Sequence, residues 1–198
     1  MKMWSVFLGL LAVLPTLAVG QNAASPNSGN PPQIAFDITK ADIDAVLKNP
    51  APRSTDQAVR VVDMGKYNLE VAVIHRGVTN DKPGDPIMVS NHYQTAETYI
   101  MLSGSAILTT GGTIMDKKER PGYNIVNGPG GDGTASKDAY SRRVQAGDVI
   151  IIPPGVPHGW SQITDQLVYL SVRPDPDRVL PAGYVNPALL KNLPAEAK

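Results

Sequence analysis

The chain has 198 residues, with 18 Lys and Arg set against 18 Asp and Glu, and no cysteine. That length suits one domain around one core and leaves no room for two. The balanced charge supplies no net field to hold nucleic acid or an anionic membrane surface, and the lack of cysteine excludes both a disulfide framework and a thiolate metal site. With 18 Gly and 18 Pro the chain is rich in turns, which favours many short strands over long helices. The expected class is all-β.

Residues 1–20 read as a signal peptide. Lys2 gives a positive start, residues 3–17 are an apolar run broken by Ser5, Gly9, Pro15 and Thr16, and Ala18, Val19 and Gly20 supply the small residues of a cleavage site. A membrane anchor is the competing reading. The run is shorter than the roughly 20 apolar residues that span a bilayer, and polar Gln21 and Asn22 follow it. The sequence therefore predicts a secreted or periplasmic protein with no stable membrane insertion after cleavage.

Residues 21–57 are expected to form a flexible lead-in and one short helix. The stretch 21–33 is rich in Asn, Ser, Pro and Gly without a periodic apolar face. Thr39 then stands where an N-cap would, with Asp42 three residues on, and Ile43, Val46 and Leu47 repeat at helical spacing until Pro50. This predicts a helix over residues 40–48.

A barrel domain is expected over residues 58–175, where the texture becomes that of strands. Val59, Val61 and Val62, then residues 69–74, then residues 87–89 are β-type runs separated by Gly, Asn, Asp or Pro. Residues 98–110 form another, and Gly111 with Gly112 suits a tight hairpin that returns through residues 113–115. Between residues 117 and 139, glycines at 122, 128, 130, 131 and 133 predict a surface loop near the barrel mouth. A phosphate-binding loop is disfavoured there, because no G-K-[ST] follows and no helix pattern begins. Residues 141–144, 149–152 and 167–172 supply the last strands, and the tail at 176–198 ends in Pro-rich turns and a short helix near residues 187–193.

Two segments carry the chemistry: HYQTAETYIMLSG at 92–104 and GDVIIIPPGVPHGW at 147–160. The chain has only three histidines, and two of them fall here. Side chains alternate along a strand, so Glu97, Tyr99 and Met101 share one face and His158, Trp160 and Gln162 another. If both faces line one interior, Glu97 and His158 converge and His92 joins them across a four-residue bend. Two imidazoles and one carboxylate, with further positions open to water or substrate, form a facial metal site. Such a set without thiolate suits Zn, Mn, Fe or Ni. The competing reading makes His92 and His158 ordinary barrel-lining residues and pairs Glu97 with Arg76 or with a turn. His75, beside Arg76, is expected to be structural or at the pocket rim; Trp160 is expected to pack in the core, and Tyr93 and Gln94 to face solvent.

The two segments resemble the motifs of the cupin superfamily. In the first motif His92, Glu97 and Gly104 match, while Ser90 stands at the earlier histidine; in the second Gly147, Pro153, Gly155 and His158 match, with Gln162 where Asn is usual. The resemblance covers roughly residues 60–173. It implies a single jelly-roll β-barrel of two antiparallel sheets with a site in its mouth. Many cupins hold iron, manganese, nickel or zinc there with three His and one Glu; here Ser90 removes one nitrogen, leaving His92, Glu97 and His158 as the implied metal ligands.

The expected function is that of an exported cupin that binds a divalent metal in the barrel mouth and acts on a small organic molecule by oxygenase, isomerase or lyase chemistry, with Glu97 or Tyr99 handling a proton. The pairing of Glu97 with Tyr99 is similar to that in cupin lyases acting on dimethylsulfoniopropionate, and is also common in other cupins. The alternatives are a non-catalytic module that captures a small ligand such as a sugar, and a storage protein of the seed-cupin kind, which the single barrel disfavours. A homodimer paired along the strand at residues 58–62 is also expected.

Overall fold

A computed structural model of the chain describes residues 34–49, 55–120 and 126–190. The segment read as a signal peptide, the polar stretch 21–33 and residues 191–193 of the expected tail helix lie outside the described residues. Helix α1 (Lys40–Lys48) is the short helix expected from the sequence. Thr39 Oγ1 accepts the Asp42 N–H at 3.1 Å, and the Asp42 carboxylate accepts the Thr39 N–H at 2.9 Å. Each side chain thus satisfies a backbone donor at the helix start that would otherwise have no partner.

The strands are β1 (Asp56–Asp63), β2 (Asn68–Arg76), β3 (Met88–His92), β4 (Glu97–Ser103), β5 (Ser105–Thr110), β6 (Ile114–Arg120), β7 (Gly130–Ala135), β8 (Tyr140–Gln145), β9 (Val149–Ile152), β10 (His158–Ser161) and β11 (Leu167–Asp175). They form two antiparallel sheets, one in the order β1-β2-β11-β4-β9 and the other β6-β7-β3-β10-β5-β8. Between the sheets lies the main core, built by alternate residues of facing strands: Ala72 and Ile74, Tyr99 and Met101, Ala106 and Leu108, Ile150 and Ile152, Leu167 and Tyr169. A second cluster joins Val46 of α1 and Ala188 and Leu189 of α2 (Pro187–Leu190) to Val59 and Val73. Neither helix is long and apolar enough to cross a membrane.

Three local expectations need correction. Gly111 and Gly112 do take positive φ, 79° and 67°, but they do not close a hairpin. Strand β5 pairs with β10 and β8, while β6 pairs with β7 at the far edge of the sheet. The glycine-rich run is not all loop either, because residues 130–135 are strand β7 and pair with β3. Glycine weakens an isolated strand; here it leaves room for the side chains of β6. A Cβ on Gly130 would stand 2.2 Å from Arg120 Nη2, and one on Gly131 2.2 Å from Lys117 Cε. Finally, β1 does not offer a free edge for a second copy. Val61 N–H donates to the Tyr184 carbonyl at 3.0 Å, Gly183 N–H to that of Val61 at 2.9 Å, and Asn186 N–H to that of Val59 at 2.9 Å, so residues 183–186 already cover it.

At the other end of the five-stranded sheet, β9 turns Val149 and Ile151 outward, 62% and 74% exposed. Ile151→Lys is expected to change unfolding free energy by less than about 0.5 kcal/mol. Leu108→Ala, between the sheets, is expected to cost about 2–5 kcal/mol, with urea denaturation as the measure of both.

Candidate functional site

The site forms where the ends of β3, β4 and β10 meet. His92 is the last residue of β3, Glu97 the first of β4 and His158 the first of β10, and all three are buried. Their ligand-type atoms lie within 4.8 Å of one another. Glu97 Oε2 stands 3.0 Å from His158 Nε2 and 3.4 Å from His92 Nε2, and accepts the Tyr99 hydroxyl at 3.0 Å. The alternation predicted for β4 is present, since Glu97, Tyr99 and Met101 all face inward. His75 takes no part: it is exposed, with Nε2 3.3 Å from Gln166 Oε1. Tyr93 is also largely outside, its hydroxyl donating to Glu119.

The partner of Glu97 is Arg173, not Arg76. Arg173 is 1% exposed, and its Nε donates to Glu97 Oε1 at 2.8 Å, beside the Ser171 hydroxyl at 3.1 Å. Its remaining nitrogens reach Asp56 at 2.5 Å and Glu70 at 3.3 Å. Burial alone would raise the Glu97 carboxyl, but the Arg173 guanidinium and the two imidazoles outweigh it and hold the group well below the usual carboxylate range. Burial pushes Glu70 up to about 8, against the pull of Arg173, and its Oε1 has no hydrogen-bond partner among the described residues. Sequence reasoning missed Arg173. The available signal was the continuation of the inward-facing row Leu167, Tyr169, Ser171 along β11, which puts Arg173 inside.

Ser90 lies directly opposite His158 in the β3–β10 pairing and opposite Asp132 in the β3–β7 pairing. Its hydroxyl donates to Asp132 Oδ1 at 2.6 Å, and Arg120 Nη1 donates to the same oxygen at 2.7 Å. Arg120 Nη2 reaches the Asn91 carbonyl at 2.8 Å and His92 Nδ1 at 3.0 Å. A Ser–Asp–Arg chain thus runs alongside the three ligand-type residues and reaches His92.

The histidine ring contacts bear on whether this group suits a metal ion. His158 Nδ1 lies 3.0 Å from the Val156 carbonyl, which can only accept, so Nδ1 carries a proton, and in the neutral ring the Nε2 lone pair points at Glu97. Two acceptors 3.0 Å apart call for a cation between them, a proton or a metal. The two-nitrogen, one-oxygen donor set fits a divalent ion. His92 is held in the opposite sense, because Arg120 can only donate to its Nδ1, which puts the ring proton on Nε2. Burial also lowers the His92 pKa despite the raising effect of Glu97.

The glycine and proline spacing that framed both segments has a steric basis at Gly104. Its φ is +82°, and a Cβ there would stand 1.7 Å from the Gln166 carbonyl oxygen. Both motif segments bring their ligand-type residues to one point of a two-sheet antiparallel barrel. The chain has the cupin fold.

No known family model matches this sequence, and no curated protein is similar to it in sequence. Among solved structures, BH2720 of Bacillus halodurans is 14% identical over 79% of this chain and 92% of its own, with a TM-score of 0.46. An RmlC-like cupin with a double-stranded β-helix fold from Methanocaldococcus jannaschii is 13% identical over 65% of this chain and 89% of its own, at 0.37. The DMSP lyase DddQ of Ruegeria pomeroyi is 17% identical over 53% of this chain, at 0.33, and the match spans 37% of that lyase.

Beside these three residues opens a cavity of about 440 Å³, lined by Tyr99, Trp160, Arg76 and Val89 among others. Trp160 both packs against the core and faces this space.

The raised Glu70 carboxyl gives stability a defined pH dependence. A carboxyl held near 8 when folded and near 4.5 when unfolded binds more protons in the native state across that window, so its contribution falls as pH rises from about 4.5 to about 8. Glu97 acts in the opposite sense: its contribution is present above its unfolded value and is lost as acid protonates it. Glu70→Gln keeps an oxygen for Arg173 and removes the titration. Its unfolding free energy relative to the parent is expected to rise between pH 5 and pH 8, by up to about 1.4 kcal/mol per pH unit, in parallel urea titrations.

Proposed function

We propose that this chain is a metal-dependent cupin enzyme, with one divalent ion held by His92, Glu97 and His158 and a small organic substrate in the adjoining cavity. The observation that supports it most directly is the convergence of three buried ligand-type side chains within 4.8 Å beside about 440 Å³ of space. Zn, Mn, Fe and Ni all suit the donor set. A divalent ion there would polarise a carbonyl or hydroxyl oxygen of the substrate.

The protein's own groups have distinct tasks in this reading. Arg173 keeps Glu97 ionised and fixes its orientation through Oε1, leaving Oε2 toward the imidazoles. Tyr99 enters this reading as a neutral hydroxyl, because burial holds it well above the ordinary tyrosine range, and it donates to Glu97 Oε2 at 3.0 Å. Lyase, isomerase and oxygenase chemistry all suit such a site.

A second reading is a metal-free binding module for a small ligand, and the Arg120 contact to His92 Nδ1 at 3.0 Å favours it. Metal analysis separates the two. Protein reconstituted with zinc or manganese and freed of excess ion is expected to retain about one ion per chain, the stoichiometry of one such site, and to lose it in His158→Ala. The enzyme reading further expects a panel of small hydroxy acids, catechols and sugars to contain a substrate whose turnover disappears in Glu97→Ala. Binding without retained metal or conversion selects the module.

We also propose export, on the pattern of residues 1–20. N-terminal sequencing of protein recovered from outside the cytoplasm is expected to begin near Gln21; full-length protein kept inside would remove that reading.

A further inference from the structure

The cavity beside His92 and His158 is lined by Arg76, which makes no hydrogen bond or ion pair to a carboxylate among the described residues. Along β2, Glu70, Ala72 and Ile74 face inward, and the alternation carries Arg76 into the same interior while His75 points out. Arg76 Nε donates to the Tyr169 hydroxyl at 3.1 Å, and the same hydroxyl accepts Trp160 Nε1 at 3.0 Å. That contact fixes one side of the guanidinium. Its Nη atoms make no hydrogen bond and no ion pair with any described residue, although the side chain is half-buried and lines the cavity.

The neighbouring charges are otherwise matched. Arg173 is shared by Asp56, Glu70 and Glu97. Arg120 holds Asp132, which also accepts the Ser90 hydroxyl. Asp56 and Asp132 both line the cavity; Asp132 is held by Arg120 and Asp56 by Arg173, and the Asp56 charge also acts on Arg76. Withdrawing a charge from water is costly unless a partner replaces the water. The planar fork of an arginine matches a carboxylate through two parallel N–H donors. Trp160 and Val89 supply apolar wall in the same space.

We propose that Arg76 is the anion-binding residue of this cavity and that the natural ligand is a small organic carboxylate, its charged end on the Arg76 guanidinium and its apolar body against Trp160. This rests on reading the cavity as the ligand site, but not on the metal.

The experiment compares carboxylates with their uncharged isosteres: benzoate and hexanoate against benzamide and hexanamide, by calorimetry, on zinc-loaded and on EDTA-treated protein. At least one carboxylate is expected to bind about tenfold or more tightly than its amide, the worth of one charge-assisted pair, with and without zinc. Arg76→Gln is expected to reduce that preference to about twofold or less, and Arg76→Lys, which keeps the charge and loses the fork, to retain part of it. A thermal midpoint for each variant shows that it folds. The proposal is overturned if no carboxylate outbinds its amide, if the preference vanishes with EDTA, or if it survives intact in folded Arg76→Gln. Parallel metal analysis keeps the two readings apart: an Arg76-dependent preference in protein that retains no ion sustains the anion site and removes the metal reading, and retained ion with no preference does the reverse.

Discussion

The interaction on which the interior depends is the buried guanidinium of Arg173. It sits on β11, the strand between β2 and β4 in the five-stranded sheet, and gathers Asp56 from β1, Glu70 from β2 and Glu97 from β4. Three carboxyls on one cation would leave excess negative charge if all were ionised in a dry interior. Burial resolves this by keeping Glu70 protonated up to about 8, so the cluster approaches neutrality as two anions and one cation before the imidazoles are counted. Glu97 is the member that stays ionised, and it is also the one that faces the histidines. The charge state of the candidate site is thus set largely from behind, by Arg173 and Glu70.

A second arginine acts on the same histidines from the front. Arg120 reaches across β7 to Asp132, the Asn91 carbonyl and His92 Nδ1, along a path that glycine at position 130 leaves open. Position 90 thus belongs to a hydrogen-bonded Ser90–Asp132–Arg120 chain. His158 is anchored by a backbone carbonyl with its Nε2 lone pair toward Glu97, whereas His92 is anchored by a cation that acts in the opposite sense.

Features that depend on neighbours in sequence were legible from the chain alone. The Thr39–Asp42 capping box is local, and α1 begins and ends where it predicts. The valine- and isoleucine-rich runs gave most strands, and the period of two put Glu97 and Tyr99 on one inward face. Spacing also brought His92, Glu97 and His158 together, since the turns at Gly104 and Gly155 are encoded within each segment. Strand β7 was not legible, because its glycines suit strand structure only when Lys117 and Arg120 lie over them. The Arg173 cluster was not legible for a related reason: its carboxylates lie 117, 103 and 76 residues away in sequence, and no local pattern marks which of many acidic residues an arginine will meet.

The cover over β1 has a consequence for the order in which this barrel can form. Residues 183–186 lie along the outer edge of the first strand, and β2 is paired on its other side with β11, about a hundred residues later. During synthesis the first two strands of the sheet therefore wait for partners made among the last, a topology dominated by non-local contacts and slow to close. Until residue 186 has emerged, the chain can hold its early strands only with open edges. Under the proposed export, a translocation channel would meet this chain before its barrel had shut.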